Sequence, residues 1–306
     1  MKKLFCLFIS FVIISVQGFA QDKKTADCMY LKNAYSYFCQ KKYKKVVKTL
    51  EAFRKEYPKH PLVEEAQFAI GLSYFNKGDY KNARKTFQQI IDKTDYPFPD
   101  SSYDISCCVN IGSQCHAGIL VPDFSLNVQH NACIQIAGIG FKEKNYPLVL
   151  NYLVNADRSY RYWFGCGTGD MEENMRMAKL FSRYYIETNN KDSAIKVLLV
   201  QCLEPAALGI NGYSELKDQV IALLKANYPL QDLKTKFDQA IENIFYESHL
   251  NDNGVEIREY FIRFMDVKIT VAPPYLFAKM YDQTQVVTYI QQTDFYHELL
   301  NLPKPE

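Results

Sequence analysis

The sequence has almost no excess of charge: 36 Lys and Arg stand against 34 Asp and Glu, a formal +2 over 306 residues. That balance argues against a nucleic-acid partner held mainly by phosphate contacts. No Cys-x-x-Cys occurs, so a thioredoxin-type redox motif is absent and zinc-ribbon spacing is missing. Beyond residue 20 no apolar stretch approaches the ~20 residues a membrane-spanning helix requires. Gly165-Cys166-Gly167-Thr168-Gly169-Asp170 has the glycines of a phosphate cradle but not the Lys-Ser/Thr of a P-loop, and residues 162–170 read as a loop between hairpins. His60, His249 and His297 have no nucleophile or carboxylate at motif spacing, so no hydrolase constellation can be assembled. No catalytic residue and no cofactor are therefore assigned.

The amino terminus is distinctive. Met1-Lys2-Lys3 precedes an almost unbroken apolar run over residues 4–16, and Gly18-Phe19-Ala20 supplies small residues before Gln21. This reads as a secretory signal peptide over residues 1–20, cut after Ala20, which predicts a periplasmic or secreted protein with no integral membrane segment after cleavage. Cys6 lies within the run rather than behind a cleavage site, which argues against a lipid anchor. Eight cysteines remain after its loss. In an exported protein they can form disulfides, or stay as buried apolar side chains. Cys107, Cys108, Cys115 and His116 cluster near His130 and Cys133. Thiolate and imidazole suit zinc or copper, and Cys115, His116, His130 and Cys133 are the candidate ligands if a metal binds.

Helical periodicity dominates the rest. Tyr30, Ala34, Tyr37, Tyr43, Val46, Leu50 and Phe53 recur 37 residues later as Gln67, Gly71, Tyr74, Tyr80, Ala83, Phe87 and Ile90. Two helices joined by a tight turn at Lys77-Gly78-Asp79 account for each set, with small residues at Gly71 and Ala83 letting the helices approach. Ala137, Tyr146, Val149, Leu153 and Ala156 continue the pattern around Lys144-Asn145, and Tyr185, Ala194 and Leu198 around Asn189-Asn190. Gly138-Ile139-Gly140 falls inside a helix, where glycines serve packing rather than a dinucleotide. The segments are thus two repeats over residues 21–95, an irregular connection over 96–129 interrupted by Pro97, Pro99, Gly112, Gly118 and Pro122, and two degenerate repeats over 130–210. Asp92, Asp95, Asp100 and Asp104 read as loop caps before a calcium site.

These residues resemble the tetratricopeptide repeat family, through Tyr30, Tyr37 and Pro58 in the first repeat and Gly71, Tyr74, Ala83 and Phe87 in the second. The Tyr57-Pro58 to Pro61 junction looks like the longer linker of its bacterial envelope members. The resemblance implies a mainly all-α chain, an α-solenoid whose first helices line a concave groove for a protein or peptide. On that basis Asn33, Tyr37, Gln67 and Tyr74 are the groove candidates, with Tyr30 and Ile70 nearby. Asn33 and Gln67 hold polar groups where the family is apolar.

Residues 211–306 change character. Residues 216–225 and 233–246 read as helices, Asn251-Asp252-Asn253-Gly254 as a turn, and residues 255–271 as a small β-hairpin closed by Pro273-Pro274. A final amphipathic helix is expected over residues 286–300, so this region can cap the array. The leading expectation is an exported, non-catalytic scaffold for a protein or peptide, with possible envelope association. The alternatives are a cell-wall or glycan-binding protein using exposed tyrosines, and a metal-binding or enzymatic protein using residues 107–133.

Overall fold

In a computed structural model of the chain, the described residues are 27–93, 127–161, 167–203, 210, 212–250, 254, 256–271 and 282–303. They belong to two compact units, residues 1–161 and 162–306. The signal segment and most of the 96–129 connection lie outside them.

Three helical hairpins make the described part of the first unit. They are α1 (residues 27–39) with α2 (Tyr43–Glu56), α3 (Val63–Asn76) with α4 (Tyr80–Ile91), and α5 (Val128–Glu143) with α6 (Tyr146–Val154). The last helix runs on into one π turn, Asn155–Ser159. From α2 to α6 each helix packs on the next along the chain. Apolar spacing explains this: Val46, Leu50 and Phe53, then Ala83, Phe87 and Ile90, then Val149, Leu153 and Ala156 are all fully buried. These are the repeat-equivalent residues, so sequence register has become packing register.

The turns repeat as closely as the cores. Lys41, Gly78, Lys144 and Asn189 all have positive φ, at 56°, 80°, 53° and 60°. Each follows the end of a first helix, where a left-handed residue closes the last turn. The next residue's N–H then reaches back to a first-helix carbonyl: Lys42 to Tyr37 at 2.8 Å, Asp79 to Tyr74 at 2.9 Å, Asn145 to Gly140 at 2.8 Å and Asn190 to Tyr185 at 2.7 Å. Asp79, Asn145 and Asn190 also cap the second helix, accepting from Asn82, Leu148 and Ser193 N–H. Lys42 has no such group and provides no side-chain cap.

The two glycines of α5 differ in what surrounds them. A Cβ on Gly140 would lie 2.8 Å from Val149 Cγ2 and 3.2 Å from two backbone atoms, whereas on Gly138 it would meet nothing nearer than Phe75 at 3.9 Å. Gly140→Ala is therefore expected to lose about 1–3 kcal/mol by overpacking. Gly138→Ala should gain about 0.5–1 kcal/mol through helix propensity. Urea denaturation of both variants checks the opposite signs.

The second unit opens with the fourth hairpin, α7 (Gly167–Glu187) and α8 (Lys191–Leu199). Here the expected loop over 162–170 needs correction, because residues 167–170 already form the first turn of α7. Glycine is tolerated there, since the first-turn N–H groups have no intrahelical carbonyl acceptor and the terminal turn is the least constrained part of the helix. Then come α9 (Tyr213–Asn227) and α10 (Leu230–Glu242), followed by β1 (Phe245–Leu250), β2 (Glu256–Phe264) and β3 (Val267–Thr270) in one antiparallel sheet of order β1-β2-β3.

The expected hairpin is thus three-stranded, and Phe245 and Tyr246 belong to a strand rather than to a helix running to residue 246. Asn243 ends α10, and Phe245 and Tyr246 pair with Phe261 and Tyr260. That pairing spans the turn and is invisible to local periodicity. The expected final helix is also two, α11 (Gln283–Gln292) and α12 (Asp294–Leu300). Thr293 breaks it: its Oγ1 donates to the Ile290 carbonyl at 2.7 Å and accepts from Tyr296 N–H at 3.2 Å. Phe237 centres the core of this unit, edge-on to Phe264 at 4.8 Å and packed against Phe295 at 5.9 Å.

Candidate protein-binding surface

Four groove candidates were expected on α1 and α3, and their environments differ. Asn33 is exposed, and Tyr37 and Tyr74 are half-buried. Lys45 Nζ stands 5.3 Å from the centroid of the Tyr37 ring. Burial, then Glu51 and Asp79, push the Tyr74 hydroxyl pKa upward. Gln67 is only 6% exposed. Its Oε1 accepts from Arg54 Nη2 at 2.6 Å, while Nε2 donates to Gln89 Oε1 at 3.3 Å and to the Thr86 carbonyl at 3.5 Å. The polar group at this family-apolar position thus links α2 to α4 and is held inside the repeat. Ile70 is buried as well, and the Tyr30 hydroxyl donates to Glu56 at 2.9 Å.

One stripe of α1 is open to solvent. Met29, Asn33, Ser36 and Gln40 are exposed at helical spacing, with Met29 at 61%. Gln40 Nε2 donates to Ser36 Oγ at 3.0 Å within that stripe. The opposite face, Leu31, Ala34, Tyr35 and Phe38, joins one core with α2 and α3. Met29 had no sequence signal, because a single exposed methionine looks like any core methionine until the buried face is known.

Buried polar groups anchor α1 to the linker after α2. His60 Nδ1 accepts from Leu62 N–H at 3.0 Å, and Nε2 faces Asp27 Oδ2 at 3.4 Å. The carboxylate partner that motif spacing did not offer His60 lies 33 residues upstream. Burial lowers the His60 pKa against the raising influence of Asp27. The unprotonated ring that accepts from Leu62 is the favoured form, so this group stabilises the fold above pH 6.5 and progressively less as pH falls below it.

Glu65 acts in the opposite sense. One of its carboxyl oxygens is buried without a hydrogen-bond partner, and burial pushes its pKa from 4.5 to about 7, with Glu64 adding to the rise. Its contribution is complete below pH 4.5 and is lost as pH rises through about 7. Glu65→Gln should match the parent near pH 4.5 and exceed it by about 3 kcal/mol at pH 8. Denaturation midpoints at the two pH values check this, since His60 is common to both proteins and cancels.

Of the candidate metal ligands, Cys115 and His116 lie outside the described residues. His130 and Cys133 share a buried face of α5. The His130 Nδ1–H donates to the Ala156 carbonyl at 3.0 Å, and burial holds Cys133 as a thiol with a pKa pushed up to about 12. Among the described residues no group of three His, Cys, Asp or Glu side chains is placed to hold a metal. Cys133 and Cys202 are free thiols, whereas Cys28 and Cys39 are each disulfide-bonded. Eleven residues apart on one helix, about 16 Å at 1.5 Å per residue, these two cannot be bonded to each other.

The Tetratricopeptide repeat family matches residues 65–97, which takes in most of α3 and all of α4. No curated protein matches the chain. The repeat supports a protein-interaction scaffold as the broad function. Among the described residues no helix is long and apolar enough to cross a membrane.

Proposed function

We propose that the chain is an exported, non-catalytic scaffold whose first helices hold a peptide segment of a partner protein in the bacterial envelope. The observation that carries this reading is the open stripe of α1, on which Met29 is 61% exposed while the other face of the helix is buried. Isolated apolar residues are common on surfaces, but this one stands beside Asn33 and Ser36 on the first helix of a repeat unit. Tyr37 and Tyr74 add half-buried rings, the residue type that binding surfaces favour. Contact would use the thioether and the rings for area, and Asn33 for hydrogen bonds to the peptide backbone.

Export is supported from two directions. The charged start, apolar run and small residues before Gln21 have the order of a cleaved signal, and disulfide-bonded Cys28 and Cys39 belong to an oxidising compartment. The test is affinity capture with the full chain in its native envelope, compared with Met29→Glu/Asn33→Arg. A specific protein retained by the parent and lost by the variant bears the reading out. The same protein on both baits, or none on either, refutes it.

A further inference from the structure

The second unit contains a cleft of about 550 Å³ between α8, α10 and the turn joining β2 to β3. Ile195, Ala240 and Met265 provide its apolar lining, and Lys196, Lys236, Arg263, Asp192 and Asp266 its charges. Lys196, Lys236 and Arg263 make no ion pair with any described carboxylate, although two aspartates line the same cleft. One of these is occupied: Tyr228 Oη donates to Asp192 Oδ1 at 3.0 Å, and Lys236 Nζ stands 5.9 Å from the centroid of the Tyr228 ring.

The turn at the rim is strained. Met265 and Asp266 have φ of 52° and 61°, the left-handed pair of a two-residue hairpin that Asn-Gly fills at least cost. Aspartate tolerates this region, but for methionine it is uncommon and costs of order 1–2 kcal/mol. Strain of this kind is kept where the residues it presents have a use, and here it places Met265 and Asp266 in the cleft.

We infer that this cleft is a binding site for an acidic saccharide, a sugar unit carrying a carboxylate. A neutral sugar would make no use of the net positive charge that three exposed cations and two aspartates give the lining. A simple polycarboxylate would meet Asp192 and Asp266 as well as the cations, and like charges at close range are costly. A ligand with hydroxyl donors and one anionic group satisfies both sets: Arg263 and the lysines take the carboxylate, and Asp266 accepts from a hydroxyl. The volume falls within the usual range of small-ligand sites.

The test is calorimetric titration of the full chain with oligomers of galacturonate, glucuronate and N-acetylneuraminate, alongside neutral galactose oligomers and tricarballylate. At least one acidic oligomer is expected to bind, with neutral oligomers and tricarballylate at least tenfold weaker. Lys196→Gln/Arg263→Gln should weaken that binding at least tenfold. Met265→Asn/Asp266→Gly relieves the turn and removes its carboxylate, so it should raise the melting temperature while weakening binding, a combination that unfolding cannot produce. Failure of all three acidic oligomers, tricarballylate binding equally well, or undiminished affinity in either variant would overturn the assignment.

Discussion

Phe87→Ala is expected to remove about 3–5 kcal/mol of stability from the first unit, among the largest single-residue effects in the repeats. The Phe87 ring is fully buried, packs on Phe68 at 5.4 Å, and fills the space left by the missing side chain of Gly71. A Cβ on Gly71 would come within 2.5 Å of that ring. Gly71→Ala should therefore lose about 1–3 kcal/mol, because a ring wedged between two helices cannot swing aside. Combined, the two changes should be clearly less than additive, since alanine at 87 vacates the space that alanine at 71 needs. Chemical denaturation of both single variants and the double variant measures the coupling. Strict additivity would mean that the glycine and the ring do not form one joint.

Loss of the α1 disulfides should be nearly as large. Removing a native disulfide typically costs about 2–5 kcal/mol, and α1 has two cysteines so bonded. Cys28→Ser/Cys39→Ser should melt well below the parent in oxidising buffer. Dithiothreitol should lower the parent towards the double variant and leave the double variant where it is. Cys133→Ser serves as the control, because that thiol is free and buried and should not alter the response to reductant. A parent indifferent to dithiothreitol would remove both the stabilising role and one support for export.

The repeats were readable in the sequence because each hairpin is a local object. A helix of period 3.6, a left-handed residue and a capping Asx lie within a few positions of one another, so the 37-residue spacing of Tyr30 to Gln67 and Phe53 to Ile90 reproduced the fold. What lay hidden depends on distance along the chain. Asp27 meets His60 across a whole hairpin, Phe245 joins a strand only because Phe261 is there to pair with it, and the cleft around Arg263 draws on residues from Asp192 onward. The groove candidates show the same division. Asn33 is a polar residue on an otherwise apolar template, and it stands in solvent. Gln67 departs from the template in the same way, yet its partners Arg54, Thr86 and Gln89 hold it inside. Local pattern marks a polar departure from the repeat without saying whether a neighbouring helix or a ligand is the reason for it.

The central claim is that the first helices of the repeats are the binding face. Hydrogen exchange of the full chain, alone and with the captured partner, tests it most directly, because protection is read segment by segment. The account predicts slowed exchange in residues 27–39 and in α3, with α2 and α4 unchanged. Protection confined to α2 and α4, or found only in the second unit, would contradict it.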